Sequence, residues 1–229
     1  MKFVAYTTTL FLPALLLAGP PMLTNDPFVP DYGQTELNLA FRTIDRTHNA
    51  ARIPVIDYNY GIYPNVQLTL EASYIYTTQK RDFDAFTLAC KWLFYQNSFF
   101  SIATNTEFSS YPIASVFNQG NVAELALPMN ITLTSTIDLV VTPTFIYEPD
   151  DVSHVELGTY LAYTNNKTTL FSEVFIERPT HNDLFYLINF GFSYQFSDNK
   201  AFIFSLGREI KTEHYSPAKI SYSGLQITF

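Results

Sequence analysis

The chain of 229 residues is poor in cysteine, tryptophan, glycine and basic residues. Cys90 is the only cysteine, which excludes an internal disulfide and a thiolate metal cluster. The formal net charge is -8, and no basic stripe is present that would displace counterions from nucleic acid. Beyond the N-terminus, no apolar run approaches the roughly 20 residues of a membrane-spanning helix. We therefore expect neither a nucleic-acid partner nor a helical membrane anchor.

Aromatic residues, in contrast, are abundant, with 21 phenylalanines and 16 tyrosines. Such side chains favour pleated strands, and a composition that is 47% hydrophobic excludes an intrinsically disordered chain.

The N-terminus has the features of an export signal. Lys2 precedes an apolar and hydroxyl-bearing run at 3–17, which the small residue Ala18 follows. We expect residues 1–18 to be a signal peptide. Residues 19–33 are rich in proline and turn formers, which predicts an irregular periplasmic lead-in to a domain that spans 34–229.

From residue 34 onward, apolar and polar residues alternate. In 184–196, for example, Ile188 and Phe190 alternate with Asn189 and Gly191. A period of two places one set of side chains on each face of a sheet. The pattern predicts about twelve strands. They lie at 34–42, 53–62, 66–77, 83–95, 99–109, 122–133, 137–147, 155–164, 168–178, 184–196, 201–210 and 219–229.

These strands predict an all-β fold, namely a transmembrane, antiparallel, up-and-down β-barrel of the bacterial outer membrane. Many exceed the roughly 5–6 residues typical of globular sheets and approach the roughly 9–11 that cross a bilayer. Short turns alternate with longer polar connections, as periplasmic turns and outer loops do, and aromatic residues lie near strand ends. The alternative is a soluble β-sandwich, which also alternates.

Several motifs resemble those of the outer-membrane barrels grouped as the "MetA-pathway of phenol degradation" or putative transporter family. They are PPMLTNDP at 20–27, PVIDYNYG at 54–61, KWLF at 91–94, NFGFSY at 189–194 and SLGR at 205–208. The resemblance implies a barrel that passes small solutes, including aromatic or hydrophobic compounds. Separately, the amphipathic last strand ends on Phe229, which resembles the C-terminal aromatic residue that the barrel-insertion machinery recognises, so we expect that machinery to be a partner.

If the apolar set faces lipid, the opposite set faces the lumen. The charged members of that set are our predicted channel-lining residues: Glu36, Arg42, Asp57, Glu71, Lys91, Glu107, Glu124, Glu156, Glu173 and Glu209. Carboxylates predominate among them, which predicts a channel for passive passage of cations or neutral polar solutes. The alternative is an interior filled by hydrogen-bonded charges that leaves only a narrow passage.

Two other functions stay open. The four histidines, His48, His154, His181 and His214, all fall in predicted outer loops or at their edges, and Ser153, His154 and Glu156 are the best local grouping for a lipid hydrolase. A structural or surface-recognition barrel would contact its partners through its loops. We predict no catalytic residues and no cofactor. We also predict no metal site, because the acidic cluster of Glu148, Asp150 and Asp151 lacks the glycine spacing of a calcium loop. The expected partners are outer-membrane lipid, lipopolysaccharide and small solutes.

Overall fold

A computed structural model describes residues 22–46, 49–77, 81–111, 120–149, 153–177, 184–210 and 217–229. Thirteen strand segments form one antiparallel sheet. They are β1 (Thr35–Arg46), β2 (Asn49–Tyr63), β3 (Val66–Tyr76), β4 (Arg81–Gln96), β5 (Phe100–Tyr111), β6 (Gly120–Ala126), β7 (Met129–Thr134), β8 (Ile137–Tyr147), β9 (His154–Asn165), β10 (Thr168–Glu177), β11 (Phe185–Ser197), β12 (Lys200–Glu209) and β13 (Lys219–Thr228). Within these ranges, no helix is long and apolar enough to cross a membrane.

The sheet closes on itself into a barrel. Strands that follow one another in the chain are hydrogen-bonded neighbours, and β1 pairs with β13 to close the ring. Segments β6 and β7 both lie between β5 and β8, so together they form one strand. The barrel therefore has twelve strands, which confirms the predicted fold. One closed sheet, rather than two packed sheets, shows that the β-sandwich alternative is wrong.

A proline explains the break between β6 and β7. Pro128 has no N–H to donate to the ladder, so the regular pairing stops there. Its carbonyl still accepts the N–H of Ala103 at 2.9 Å, and the N–H of Leu127 donates to Pro143 O at 3.0 Å. The strand thus continues through the break in the position predicted for 122–133.

The two faces of the barrel differ in chemistry. On β11, Ile188, Phe190 and Tyr194 are exposed on the outside, whereas Asn189 and Ser193 are buried on the inside. Large exposed apolar side chains recur on the outer face of the other strands. Such a continuous apolar exterior around a closed, edgeless sheet suits a lipid environment, and it is the architecture of an outer-membrane protein.

Short turns collect at one end of the barrel. Asn65 and Asn166 adopt φ values of 65° and 53° in the turns β2–β3 and β9–β10, where asparagine tolerates the left-handed conformation that tight hairpins require. At the other end, strand pairing continues further than the sequence predicted. The connection predicted at 43–52 is mostly strand, since Thr43 pairs with Arg52 and Ile44 with Ala51.

The lone cysteine and the C-terminal residue both lie on the outer face. Cys90 is exposed between outward-facing Leu88 and Trp92. Phe229 is exposed as well, following β13, in which Leu225 and Ile227 have the same outward phase.

Candidate channel interior

All ten residues predicted to line a channel lie on the inward phase of their strands. Five are buried: Glu36, Asp57, Lys91, Glu173 and Glu209. The other five are partly buried: Arg42, Glu71, Glu107, Glu124 and Glu156. The charged residues of this set thus share one face of the sheet. That they line a conducting passage stays a prediction.

The segment before β1, residues 22–33, enters the barrel: Thr24, Asp26 and Val29 are buried there, whereas its last three residues, 31–33, are exposed. This stretch belongs to the predicted irregular lead-in; it contains no strand, and its contacts are with the inner wall. Met22 packs against Tyr160 and Phe171, and Val29 packs against Leu93 and Ala103. Contact with this wall removes the apolar side chains of the stretch from water, which stabilises its position inside the barrel. We call residues 22–33 the inner segment.

Polar contacts fix the inner segment at three points of the wall. The backbone N–H of Thr24 donates to Glu173 Oε1 at 2.7 Å, and Thr142 Oγ1 donates to the carbonyl of Asn25 at 2.6 Å. Lys91 forms an ion pair with Asp26 at 3.5 Å. The three wall residues belong to β10, β8 and β4, so the segment crosses the interior and does not follow a single strand.

Two glycines allow the inner segment to approach the wall closely. A Cβ on Gly61 would overlap the carbonyl oxygens of Pro30 and Asp31. A Cβ on Gly158 would overlap the side chain of Thr24. In each case the absence of a side chain makes room for the segment, which is the usual reason for glycine within a strand.

A buried amide network holds two of the predicted carboxylates together. Asn38 Nδ2 donates to Glu36 Oε1 and to Asp57 Oδ2, at 3.0 Å in each case. Asn59 Nδ2 donates to Asp57 Oδ2 at 3.1 Å, and Gln67 Nε2 donates to Asn59 Oδ1 at 2.6 Å. In this part of the wall, the polar side chains therefore hydrogen-bond to one another.

The end of the barrel away from the short turns is acidic. Glu107 and Glu124 are directly opposite each other on β5 and β6. Glu156 and Glu177 are likewise opposite each other on β9 and β10. The charges of Glu107, Glu156 and Glu177 all act on the carboxyl group of Glu124. We call these four residues, together with Glu148, the acidic rim.

His154 lies within the acidic rim. Its Nε2 atom is 3.5 Å from Glu177 Oε1 and 3.7 Å from Glu156 Oε1, and its Nδ1 atom is 3.9 Å from Glu148 Oε1. Both ring nitrogens thus face carboxylates, whereas a hydrolase histidine needs one nitrogen directed at a hydroxyl nucleophile. The grouping with Ser153 does not produce that arrangement. His48, His181, His214, Asp150 and Asp151 lie outside the described residues.

Two acidic residues that matter for this interior, Asp26 and Glu177, were not among the predicted lining residues. Asp26 was assigned to the lead-in, and only the closed barrel brings it to Lys91. Glu177 was not selected, although it has the same strand phase as Glu173 and was recognisable from that phase.

Solved structures of other proteins share the barrel fold of this chain at low sequence identity. No family model matches the chain, and no curated protein matches its sequence. Among solved structures, the KdgM porin is similar at a TM-score of 0.63 and 14% identity, covering 84% of this chain and 99% of its own.

Two further channels superpose on the barrel. The NanC porin has a TM-score of 0.68 at 8% identity, with 83% of this chain and 98% of its own covered. An outer membrane channel from Pseudomonas putida F1 has a TM-score of 0.67 at 12% identity, covering 91% of this chain and all of its own (100%). The similarity thus extends over nearly the whole length of each protein.

Proposed function

We propose that this protein is an outer-membrane channel for passive passage of small solutes, with preference for cations and neutral polar molecules. The observation that carries the proposal is the charge of the interior. Eight of the ten predicted lining residues are carboxylates, and all ten lie on the inward phase. A lumen lined by acidic side chains attracts cations and repels anions.

The acidic interior bears on the sign of charge that a solute can carry. The KdgM porin is also described in complex with disordered oligogalacturonate, which is a chain of carboxylate-bearing sugars. In their ionised form, the inward-facing carboxylates of Glu107, Glu124 and Glu156 would repel such a polyanion. We therefore propose a solute class of opposite or zero charge.

The inner segment restricts the size of the solute. It crosses the interior between Lys91 on β4 and Glu173 on β10, so it divides the cross-section of the barrel. Twelve strands lie between small barrels filled by side chains and large open porins. We therefore expect passage of single small molecules, and a unitary conductance well below that of an open porin.

The test is conductance in planar lipid bilayers. The purified full chain should form channels whose reversal potential, measured in a potassium chloride gradient, shows cation preference. A triple variant with Glu107, Glu124 and Glu156 changed to glutamine should lose most of that preference at similar conductance. The matched control neutralises the exposed carboxylates Asp45 and Asp198 as asparagine and should keep it. An electrically silent or anion-selective barrel would overturn the proposal.

The finer solute class follows from the resemblance to the phenol-degradation transporter family. We propose that neutral aromatic compounds are among the permeants, because aromatic and apolar side chains such as Phe171 and Phe175 share the inward face with the carboxylates. Relative to liposomes without protein, liposomes that contain the barrel should release a trapped neutral phenol faster, and this increase should exceed the increase for a phenol sulfonate of similar size. Equal increases, or no increase for the phenol, would contradict this assignment and leave the cation preference untouched.

A further inference from the structure

We propose that His154, Glu156 and Glu177 form a binding site for a divalent transition-metal ion, of which Zn²⁺ is the representative, at the acidic rim. His154 is the first residue of β9 and Glu156 the third, and Glu177 is the last residue of β10. The β9–β10 register sets Glu177 directly opposite Glu156. Pairing of two strands thus brings an imidazole and two carboxylates to one point on the inward face.

The distances between these groups fit ligands of one ion better than hydrogen bonds. His154 Nε2 is 3.5 Å from Glu177 Oε1 and 3.7 Å from Glu156 Oε1. An N–H···O hydrogen bond is shorter, roughly 2.7–3.2 Å. Two ligand atoms on a tetrahedral zinc with bonds of roughly 2.0–2.1 Å are about 3.3–3.4 Å apart. The three ligand atoms all lie within 4.8 Å of one another, so small side-chain adjustments complete the set.

The histidine nitrogen at this point faces the two carboxylates without a hydrogen bond of normal length. His154 Nε2 is buried, and it lies 3.5 Å from Glu177 Oε1 and 3.7 Å from Glu156 Oε1. A buried polar atom without a partner is costly, and so are like charges directly opposite each other on neighbouring strands. A bound cation removes both costs, because it accepts the nitrogen lone pair and neutralises Glu156 and Glu177.

The other ring nitrogen has the surroundings of a metal-binding histidine. Histidine ligands usually donate their second N–H to a carboxylate, which fixes the orientation of the ring. Here Glu148 Oε1 faces His154 Nδ1 from 3.9 Å, on the side of the ring opposite to Glu177, and the same small side-chain adjustments would have to shorten this distance to that of a hydrogen bond. Glu148 is therefore assigned as the residue that positions the imidazole, and not as a ligand.

The ligand types select the class of ion. One imidazole and two carboxylates suit Zn²⁺ and its first-row neighbours, whereas Ca²⁺ needs six to eight oxygen ligands and Mg²⁺ an octahedron of oxygens. Three protein ligands leave a fourth position for water or a solute. The site would therefore hold a metal at the mouth of the interior, whether or not the barrel conducts.

The experiment is zinc titration of the full chain, folded in detergent and stripped of metal by a chelator. Calorimetry should show one Zn²⁺ per chain, and Co²⁺ added in its place should develop visible absorption bands that excess Zn²⁺ removes. Stoichiometric binding should be lost in His154→Ala and in the closer mimic Glu177→Gln. Glu148→Gln should weaken binding by roughly 10–100-fold. Asp198→Asn, in the exposed turn between β11 and β12, should bind as the wild type does.

Each result bears on the metal site separately from conductance. Heat-modifiable migration in gels establishes that every variant is folded. Absence of stoichiometric Zn²⁺ binding by the wild type, or equal binding by His154→Ala, would overturn the inference, as would Ca²⁺ binding as tight as that of Zn²⁺. Because the titration involves no ion flux, a silent barrel that binds zinc rejects only the channel, and a conducting barrel that does not bind zinc rejects only the site.

Discussion

The contact between Glu173 and Thr24 holds the inner segment against β10, and its loss should release that part of the segment. Glu173 is only 1% exposed and accepts the Thr24 N–H at 2.7 Å. A hydrogen bond to a charged group contributes about 1.5–3 kcal/mol. Glu173→Ala removes it, so the detached population should rise by about 10- to 150-fold, at about 1.4 kcal/mol per factor of ten.

Thiol labelling measures that population. A cysteine replaces Thr24, which is 4% exposed, in a chain where the outward-facing Cys90 is serine. A bulky, water-soluble maleimide reaches residue 24 only when the segment detaches, so the labelling rate should rise with Glu173→Ala by the factor above. Glu173→Gln keeps an acceptor oxygen without the charge and should give an intermediate rate.

Glu124→Ala is the matched control, because it truncates another inward glutamate that lies on β6 in the acidic rim. Its labelling rate should equal that of the parent. If Glu173→Ala changed the rate by less than a factor of two, or if Glu124→Ala changed it equally, the inner segment would not be held by this contact. The proposed restriction of the passage would then lose its main support.

Three further results are expected. Gly158→Val should displace the inner segment from β9, because a Cβ at this position overlaps the side chain of Thr24. Single-channel recording should then show a larger conductance than in the wild type, and an unchanged conductance would contradict the close contact. Phe190→Arg, near the middle of β11 on the lipid face, should lower the free energy of unfolding in liposomes by about 2–4 kcal/mol. Phe196→Arg, near the strand end, should lower it by only about 0–1 kcal/mol, so equal effects in urea titrations would contradict the assigned membrane depth.

The sequence determined most of the barrel wall. Alternation along β3 and β11 reflects a local requirement, since one face of each strand meets lipid and the other meets a polar interior. That requirement is visible in any window of a few residues. The same rule indicated the inward phase of Glu36, Glu173 and the other predicted lining residues without knowledge of their neighbours.

The ends of the strands were harder to predict from the sequence than their centres. Residues 43–46 and 49–52 are more polar than the middle of the barrel and were predicted as a loop, but backbone pairing carries β1 and β2 through them. Polar side chains are tolerated there because the strands extend beyond the apolar part of the bilayer. The break at Pro128 was not predicted, because the alternation of apolar residues continues across it. The regular pairing stops there because proline has no N–H to donate.

The tertiary structure alone decided what lies within the wall. Thr24 and Glu173 are separated by 149 positions in the chain, and Lys91 and Asp26 by 65. Their contacts exist only because the ring closes around the inner segment, and no local pattern encodes closure. His154 and Glu177 likewise meet through the β9–β10 register. Local periodicity therefore determined which face each side chain occupies, whereas barrel closure decided which side chains meet across the interior.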